Sequence, residues 1–243
     1  MKLPIEPKDQ PLIEGCIHLC EDTIPAIAEF VFTKVFRTDF TQPGFAILVL
    51  PASVDSKQLR ESMVKLKQAL SKHYEARWGE SLEYLSLGRF DQQTSTKLHL
   101  DGAPEHSFLM LGYEPTTVRS ELHIADYSRY AHELGLTPTA FLEQRNPMFV
   151  AGRERLEPHT LTIKDWHEDR PRIVLINNSS TSPGHPQHTP GVMHGALIPQ
   201  ADSQATRIIN STMIAPASLT NCDCTLQEEV FLATEAISNS ITT

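Results

Sequence analysis

The chain has 243 residues, of which 40% are hydrophobic and 21% are charged, and its formal net charge at pH 7 is −9. These proportions are typical of a globular domain and exclude a disordered chain or one built from membrane-spanning segments. The acidic balance also speaks against wholesale binding of phosphate backbones, so we expect neither a nucleic-acid nor a membrane partner.

The N-terminal third combines predicted helices with one predicted strand. Residues 22–37 repeat apolar residues at helical spacing after Thr23, with Pro25 in the first turn, and predict a helix. "GFAILVLP", bounded by Gly44 and Pro51, predicts a strand. After a cap at Asp55 or Ser56, a helical stripe follows, formed by Leu59, Met63, Leu66, Leu70 and Tyr74. Residues 1–80 are therefore predicted to be a mixed α/β part that packs on a β-rich barrel formed by later residues.

From residue 82 onward, eight short β-rich runs predict a jelly roll over 82–215. They are "LEYLSLG", "KLHLD", "SFLMLGY", "SELHIA", "HTLTI", "RIVLINN", "GVMHGALI" and "TRIINSTMI". Between the fourth and fifth run, Asp126 and Thr137 predict the caps of two short helices, and Gly135 ends the first. Residues 216–243 are predicted to be a tail or a helix. We expect one domain over 1–243, mainly β with flanking helices (α+β), folded as a double-stranded β-helix or jelly roll.

The N-terminus and the cysteines give two further expectations. Residues 1–16 place Pro, Glu and Asp where a signal peptide needs an apolar core, which favours a cytoplasmic protein. Four cysteines form two near pairs, Cys16 with Cys20 and Cys222 with Cys224. Neither spacing is the two-residue gap of zinc ribbons, so the role of these cysteines is left open.

The stretch "TKLHLDGAPEHSF" places His99 and Asp101 two residues apart, just before a turn. On a strand, residues i and i+2 point to the same face, so the imidazole and the carboxylate can be presented together while Leu98 and Leu100 face the other way. The turn at Asp101 ends the predicted strand, where side chains can reach the mouth of a cavity. The pair therefore predicts two ligands of one metal site.

A third ligand and a basic residue follow in the last two β runs. His194 lies in "PGVMHGALIP", and Arg207 follows thirteen residues later in "ATRIINSTM". Two histidines and one carboxylate form the facial triad of non-haem Fe(II) oxygenases, which leaves adjacent coordination positions open. An arginine on the next strand can bind a carboxylate with two parallel hydrogen bonds.

Through "HLD" at 99–101, "MHG" at 193–195 and Arg207, the chain resembles the Fe(II)/2-oxoglutarate-dependent dioxygenase superfamily. The resemblance implies a double-stranded β-helix whose mouth holds Fe(II) on His99, Asp101 and His194. It implies that Arg207 binds the distal carboxylate of 2-oxoglutarate. The implied reaction uses O2, hydroxylates a small substrate and releases succinate and CO2. An aspartate in the triad also disfavours the halogenases that resemble this superfamily, because these carry a small residue there.

Other residues offer alternative ligands. His167 and Asp169 repeat the spacing of the first pair, but their polar neighbours and Pro171 are typical of a loop between strands. His185 and His188 could replace or join His194, although they lie among Ser, Thr, Pro and Gly. The loop 178–190 that contains them fits a mobile lid and a surface connection equally well.

The substrate is less defined by the sequence. Five polar residues in or beside β runs are candidates to face the cavity: Arg89, Arg119, His123, Arg153 and Asn177. If two of the arginines do so, the substrate would carry a carboxylate or a phosphate, because a buried positive charge needs a partner.

Two other classes of protein fit the same residues. A cupin-like enzyme could bind Zn, Mn or Ni on the triad and act as a hydrolase or isomerase without 2-oxoglutarate, with Arg207 in a structural role. A non-catalytic module could instead bind a small acid in the pocket without consuming it. The sequence does not specify the oligomeric state.

Overall fold

The computed structural model describes residues 12–13, 22–148, 156–164, 169–220 and 224–239. It contains two sheets, in which every strand pair is antiparallel except the two formed by the short strands Leu12–Ile13 and Ser238–Asn239, together with helices on their outer faces. The protein therefore has a mixed α+β fold. In the described part of the chain, none of the helices is both long and apolar enough to cross a membrane.

The helices and the strand predicted in the N-terminal third are confirmed. Helix α1 spans Ile24–Val35 with Pro25 in its first turn, and strand β2 spans Phe45–Val49 with all five residues buried. Helix α2 spans Ser56–Trp78 and begins with a capping box, in which the Asp55 carboxylate accepts the Gln58 N–H and the Gln58 side chain accepts the Asp55 N–H. The predicted stripe on α2 is buried from Leu59 to Tyr74. A two-residue strand, β1, Leu12–Ile13, precedes these elements.

Seven of the eight predicted β runs form strands. They are β3 Leu82–Asp91, β4 Phe108–Tyr113, β5 Glu121–Ala125, β6 Thr160–Ile163, β7 Arg172–Asn177, β8 Met193–Leu197 and β9 Ile208–Pro216. A two-residue strand, β10, Ser238–Asn239, pairs with β3. The larger sheet has the order β1-β2-β7-β4-β9-β3-β10, and the smaller one has the order β6-β5-β8.

The run "KLHLD" departs from the prediction because it forms a single bridge, between His99 and His194. Residues 95–99 still follow the free edge of β8, but hydroxyl groups replace part of the backbone ladder. The Ala196 N–H donates to Thr96 Oγ1, and the Ile198 N–H donates to Ser95 Oγ. Serine and threonine side chains compete in this way with regular strand pairing.

The core has one layer on each face of the larger sheet, and the residues of β4 contribute to both layers. Phe108 and Met110 pack with α1 and α2 on the outer face of the larger sheet. Leu109, Leu111 and Tyr113 point to the other face and pack with residues of the smaller sheet, including Leu122 and Ile124 on β5. This alternation follows from the two-residue period of a strand. We call the space between the two sheets the sheet interior.

Two predicted short helices cover the outer face of the smaller sheet. Helix α3 spans Tyr127–Glu133 and helix α4 spans Pro138–Arg145, and the side chains of Asp126 and Thr137 cap them as predicted. Gly135 follows α3 with a φ of 69°. The helices pack with Leu98 and Met193, the neighbours of the two candidate histidines. Their packing therefore directs His99 and His194 toward the sheet interior.

The segment predicted to be a tail or a helix, residues 216–243, contains one α-helix among its described residues. Helix α5 spans Cys224–Ala233, and residues 234–237 lead into β10. Phe231 of α5 is buried in the same cluster as α1 and α2.

Candidate metal centre

The backbone brings His99 and His194 together. The His99 N–H donates to the His194 carbonyl at 3.0 Å, and the His194 N–H donates to the His99 carbonyl at 3.1 Å. Residues paired in this way in antiparallel strands project their side chains to the same face. The two ring centroids are accordingly 4.4 Å apart.

Gly195 permits this close pairing. A Cβ atom at this position would lie 3.0 Å from the Lys97 carbonyl oxygen, which is closer than ordinary contact allows. Glycine has no Cβ, so residues 96–97 can lie directly against β8. The position of His99 beside His194 therefore depends on a residue without a side chain.

The side chain of Asn178 holds the main chain of Asp101. Its N–H donates to Asn178 Oδ1 at 2.9 Å, and its carbonyl accepts from Asn178 Nδ2 at 3.1 Å. The same Nδ2 group also donates to Ser107 Oγ. Asn178 is buried and directly follows β7, so one amide fixes both ends of the turn that carries the carboxylate.

The three candidate ligands converge. One ligand atom from each of His99, Asp101 and His194 lies within 4.8 Å of the other two. Asp101 Oδ1 is 3.1 Å from His99 Nε2 and 4.0 Å from His194 Nε2. In the described part of the chain, this is the one group of three metal-ligating side chains that meets this distance.

The pKa values of the three candidate ligands are shifted in different directions. Burial lowers the pKa of His194, so this imidazole is neutral and keeps a lone pair. Burial works against a charged His99, but hydrogen bonds to Asp101 and the Lys97 carbonyl outweigh it and raise the pKa of His99. Burial also opposes ionisation of Asp101, yet the hydrogen bond from His99 and the positive charge nearby lower the pKa of this carboxyl group overall.

The orientation of the His99 ring is fixed. Nδ1 lies 2.7 Å from the Lys97 carbonyl oxygen, which can only accept, so Nδ1 carries a proton. Nε2 is the atom that faces Asp101 and His194. A backbone carbonyl on the far ring nitrogen is the arrangement that commonly orients metal-binding histidines.

Arg207 is buried in the sheet interior at the start of β9, with 2% of its surface exposed. Its side chain donates to Ser120 Oγ at 3.1 Å and to Gln92 Oε1 at 2.6 Å, and its guanidinium lies 5.1 Å from the centre of the Tyr113 ring. Among the described residues, no carboxylate lies within ion-pairing distance of this side chain. Burial lowers the pKa of Arg207, and the interaction with Tyr113 and the charge of Asp91 oppose this shift.

Tyr113 lies against Arg207, whose guanidinium is 5.1 Å from the centre of the phenol ring. Burial raises the pKa of Tyr113, the positive charge of Arg207 opposes this rise, and the negative charge of Asp101 adds to it. The sequence prediction did not name Tyr113, because an aromatic residue at the end of an apolar run is usually part of the core.

The predicted substrate residues occupy different places. Arg119 lines a cavity of about 530 Å³ that also contains Arg207. Arg89 forms an ion pair with Glu114 at 3.1 Å, and His123 lies 3.4 Å from Glu121. Asn177 donates to the Val35 and Pro190 carbonyls, which ties α1 to the segment before β8. Arg153 lies outside the described residues.

The alternative ligands are not brought to the triad. His185 Nε2 lies 3.9 Å from Glu105, and His188 Nδ1 is 3.1 Å from the Thr181 carbonyl. Cys16, Cys20, Cys222 and His167 lie outside the described residues, and Cys224 begins α5.

The loop 178–190 has buried ends and an exposed tip. Asn178, Ser179, Thr181 and Thr189 are buried, whereas residues 182–184 are exposed. The Thr189 N–H donates to Thr181 Oγ1, so the two ends of the loop are tied together. The lid stays a prediction.

Comparisons with known proteins give matches among solved structures. No protein-family model matches the chain, and no curated protein matches it significantly. A taurine dioxygenase from Burkholderia xenovorans matches with 8% identity and a TM-score of 0.43, over 86% of this chain and 88% of that one. A putative alpha-ketoglutarate-dependent taurine dioxygenase from the same organism matches with 10% identity and a TM-score of 0.43, over 92% and 95% of the two chains.

A third match is the iron and alpha-ketoglutarate-dependent endoperoxidase NvfI, with 10% identity and a TM-score of 0.34, over 80% of this chain and 81% of that one. Because the TM-scores are low, the functional proposal rests on the residues of this chain.

Proposed function

We propose that the protein is a non-haem Fe(II)/2-oxoglutarate-dependent oxygenase that hydroxylates a small substrate and releases succinate and CO2. The observation that carries this proposal is the convergence of His99, Asp101 and His194, at 4.8 Å or less, together with a buried Arg207 that forms no ion pair with a described carboxylate. The two imidazoles and the carboxylate suit a metal ion, and the guanidinium suits an anionic co-substrate.

The donor set fits Fe(II). Two imidazole nitrogens and one carboxylate oxygen are the ligands of the facial triad, which leaves further coordination positions open for small molecules. His194 offers a neutral nitrogen, and His99 would release the proton on Nε2 when a metal ion replaces it. Leu98 and Met193, on the opposite face, are packed against α3 and α4 and hold the two rings inward.

Arg207 is the proposed partner of 2-oxoglutarate. A buried guanidinium beside neutral groups is costly unless an anion reaches it, and its planar fork matches a carboxylate. Ser120 and Gln92 fix the direction of the side chain. Tyr113, whose ring lies against the Arg207 guanidinium, would contact the co-substrate there.

The two sheets support a jelly-roll interpretation of the fold. If residues 95–99 count as the edge strand beside β8, the smaller sheet has four strands in the order β6-β5-β8-(95–99). These strands would face β7-β4-β9-β3 of the larger sheet. This is the arrangement of an eight-stranded double-sheet roll. The triad would then lie at one open end of the roll.

The chemistry divides between the bound groups and the protein. Fe(II) with 2-oxoglutarate and O2 supplies the oxidising power for the insertion of a hydroxyl group. The chain holds the metal through His99, Asp101 and His194 and orients the co-substrate through Arg207. It also excludes water with the apolar residues of the sheet interior, such as Leu109 and Ile124. No described residue is needed as an additional acid or base.

Succinate formation tests this proposal. The protein is incubated with Fe(II), 2-oxoglutarate and O2, alone and with pools of small metabolites, and succinate is measured. We expect succinate to form with Fe(II) but not with Zn or Mn, to require O2, and to be lost in Asp101→Ala but retained in the exposed control Asp202→Ala. Activity with Zn or Mn and without 2-oxoglutarate would favour the cupin-like enzyme. Binding of 2-oxoglutarate without any succinate would favour the non-catalytic module.

A further inference from the structure

One inward position of the larger sheet carries no side chain. Gly88 on β3 pairs with Ser211 on β9, which pairs in turn with Leu111 on β4. Leu111 belongs to the cluster in the sheet interior, and residues paired in this way project to the same face. Apart from its chain neighbours, no heavy atom would lie within 4 Å of a Cβ atom at Gly88. The sheet interior is therefore open beside Gly88.

Ser211 shows the same opening from a central strand. Strand β9 lies between β4 and β3, and all of its residues are buried except Ser211, which is partly accessible. Its side chain shares the inward face with Ile209 and Met213, two residues away on either side. An accessible side chain in the middle of a sheet requires open space above that face. We call the open space beside Gly88 and Ser211 the glycine pocket.

The position of the glycine pocket along the larger sheet follows from the end where the chain leaves β3. There the Gln92 N–H donates to the Arg207 carbonyl at 3.0 Å. Gly88 precedes Gln92 by four residues, and Ser211 follows Arg207 by four residues. At about 3.3 Å per extended residue, the glycine pocket lies roughly 13 Å from this end of the sheet.

The triad lies equally far along the smaller sheet from the same end. Residues 93–94 lead from β3 to the segment 95–99, and residues 199–206 lead from β8 to β9. At this crossing the Ile198 N–H donates to Ser95 Oγ at 2.8 Å. His99 follows Ser95 by four residues, and His194 precedes Ile198 by four residues. Because packed sheets lie about 10 Å apart, the glycine pocket faces the triad across the sheet interior.

The walls of the glycine pocket are apolar and uncharged. The inward residues around it on β3, β4 and β9 are Leu85, Phe90, Leu111, Ile209 and Met213. The hydroxyl of Ser211 adds one group that can donate or accept a hydrogen bond. Arg89 follows Gly88 directly but lies on the opposite face of β3, where it pairs with Glu114 at 3.1 Å. The pocket therefore suits a molecule that is mostly apolar and has one neutral polar group.

We propose that the primary substrate is uncharged and largely apolar, and that the glycine pocket holds it against the triad with one polar group hydrogen-bonded to Ser211. A charged group against these apolar walls would lose its hydration without gaining a counter-charge. The anionic substrate considered from the sequence requires two arginines in the cavity, whereas Arg89 faces away and Arg207 is assigned to the co-substrate. The inference rests on the proposed oxygenase function, because the pocket is a substrate site only if the triad binds iron.

Titration of the metal-free protein with 4-ethylbenzyl alcohol, followed by saturation-transfer NMR, tests the proposal. We expect the alcohol to bind and its affinity to fall at least tenfold in Gly88→Val, because the new side chain fills the pocket. The affinity should fall less in Gly88→Ala and about fivefold in Ser211→Ala, the size of effect expected for one neutral hydrogen bond. It should be unchanged in the exposed control Ser203→Ala.

The thermal unfolding midpoint shows whether each variant is folded. We expect wild-type values in Gly88→Val and Gly88→Ala, because the new atoms enter open space. Gly88→Ala keeps the test decisive if the larger side chain prevents folding. Absence of alcohol binding, or binding that the substitutions of Gly88 and Ser211 leave unchanged, would overturn the proposal.

A second titration uses the anaerobic protein loaded with Fe(II) and 2-oxoglutarate, and compares the alcohol with 4-ethylbenzoate, which has a carboxylate in place of the hydroxymethyl group. We expect the alcohol to bind at least tenfold more tightly than the benzoate, without displacing 2-oxoglutarate. Equal or tighter binding of the benzoate, or displacement of 2-oxoglutarate by the alcohol, would overturn the proposal. Because the first titration contains no metal, a failure of this inference is distinguished from a failure of the oxygenase proposal, which would appear as absence of succinate.

Discussion

His99 and His194 exchange two main-chain hydrogen bonds, of 3.0 and 3.1 Å, and this single bridge places two imidazole rings side by side. The ligands come from segments almost a hundred residues apart in sequence. Their relative position is therefore set by the backbone rather than by contacts between the rings. Substitutions that disturb the backbone at this bridge should affect metal binding without touching a ligand.

Gly195→Ala tests this relationship. The new Cβ would lie 3.0 Å from the Lys97 carbonyl oxygen and push residues 96–97 away from β8. We expect metal affinity to fall about tenfold, the size of effect seen when groups that orient ligands are altered. Competition titration with a chelator measures the affinity. The control is Gly88→Ala on β3, where a Cβ would meet nothing within 4 Å. Equal affinities in the two variants would contradict this role of Gly195.

Asn178 is expected to stabilise the fold and to support Asp101. Asn178→Ala removes the hydrogen bonds to both main-chain groups of Asp101 and to Ser107 Oγ. Because these groups are left without their partner, the free energy of unfolding should fall by about 2–3 kcal/mol. Urea unfolding measures the change. Asn178→Asp keeps the acceptor but turns a buried carboxylate oxygen toward the Asp101 carbonyl, so its cost should be at least as large as that of Asn178→Ala. An unfolding free energy equal to wild type in Asn178→Ala would refute this role.

Removing the charge of Asp126 alone should destabilise the protein more than removing both partners of its ion pair with Arg37. The Arg37 side chain is fully buried, and it binds both carboxylate oxygens of Asp126, at 2.6 and 2.8 Å, together with the Pro190 carbonyl. Asp126→Asn keeps a helix cap but leaves the buried charge without its counter-charge, so we expect a loss of about 3 kcal/mol in unfolding free energy. The double variant Asp126→Asn/Arg37→Met should recover part of it. Additive losses in the two substitutions would show that the pair is not coupled.

His106 should make the protein sensitive to acid. Burial lowers its pKa from 6.5 to about 4, and the charge of His185 adds to the shift. The folded state therefore resists protonation where the unfolded state accepts it, so stability that is complete above pH 6.5 is lost as the pH falls toward 4. The loss is at most about 3 kcal/mol for a shift of this size.

Urea unfolding at several pH values measures this effect, with His106→Leu as the comparison. The acid-dependent loss between pH 6.5 and 4 should be smaller in the variant, because Leu cannot be protonated. Parallel pH profiles for the two proteins would assign the acid sensitivity to other groups.

Regular patterns in the sequence predicted the helices and most strands, but not every hydrogen bond between neighbouring strands. The stripe from Leu59 to Tyr74 and the caps at Asp126 and Thr137 are confirmed because each signal is local, and Asp55 is the one of the two cap candidates of α2 that serves as its cap. The predicted strand at residues 97–101 is reduced to one bridge, because Ser95 and Thr96 bond to β8 through hydroxyl groups, which hydrophobic periodicity does not reveal.

For the candidate site as well, the sequence identified some of the residues and missed others. Spacing singled out His99, Asp101, His194 and Arg207, because these residue types in that order suit one known chemistry. Asn178, Tyr113 and Ser211 were missed as functional candidates. Ser211 lies inside a predicted strand, and only the pairing of the strands shows that it faces the sheet interior beside Gly88.

The most direct test of the central proposal is an anaerobic titration of the protein with Fe(II) and 2-oxoglutarate, followed by visible absorption spectroscopy. We predict a metal-to-ligand charge-transfer band in the wild-type protein. The band should be absent in His194→Ala, weakened in Arg207→Gln and unchanged in His188→Ala, a histidine outside the triad. An iron-loaded wild-type protein without the band, or a full band in His194→Ala, would contradict the assignment of Fe(II) and 2-oxoglutarate to this site.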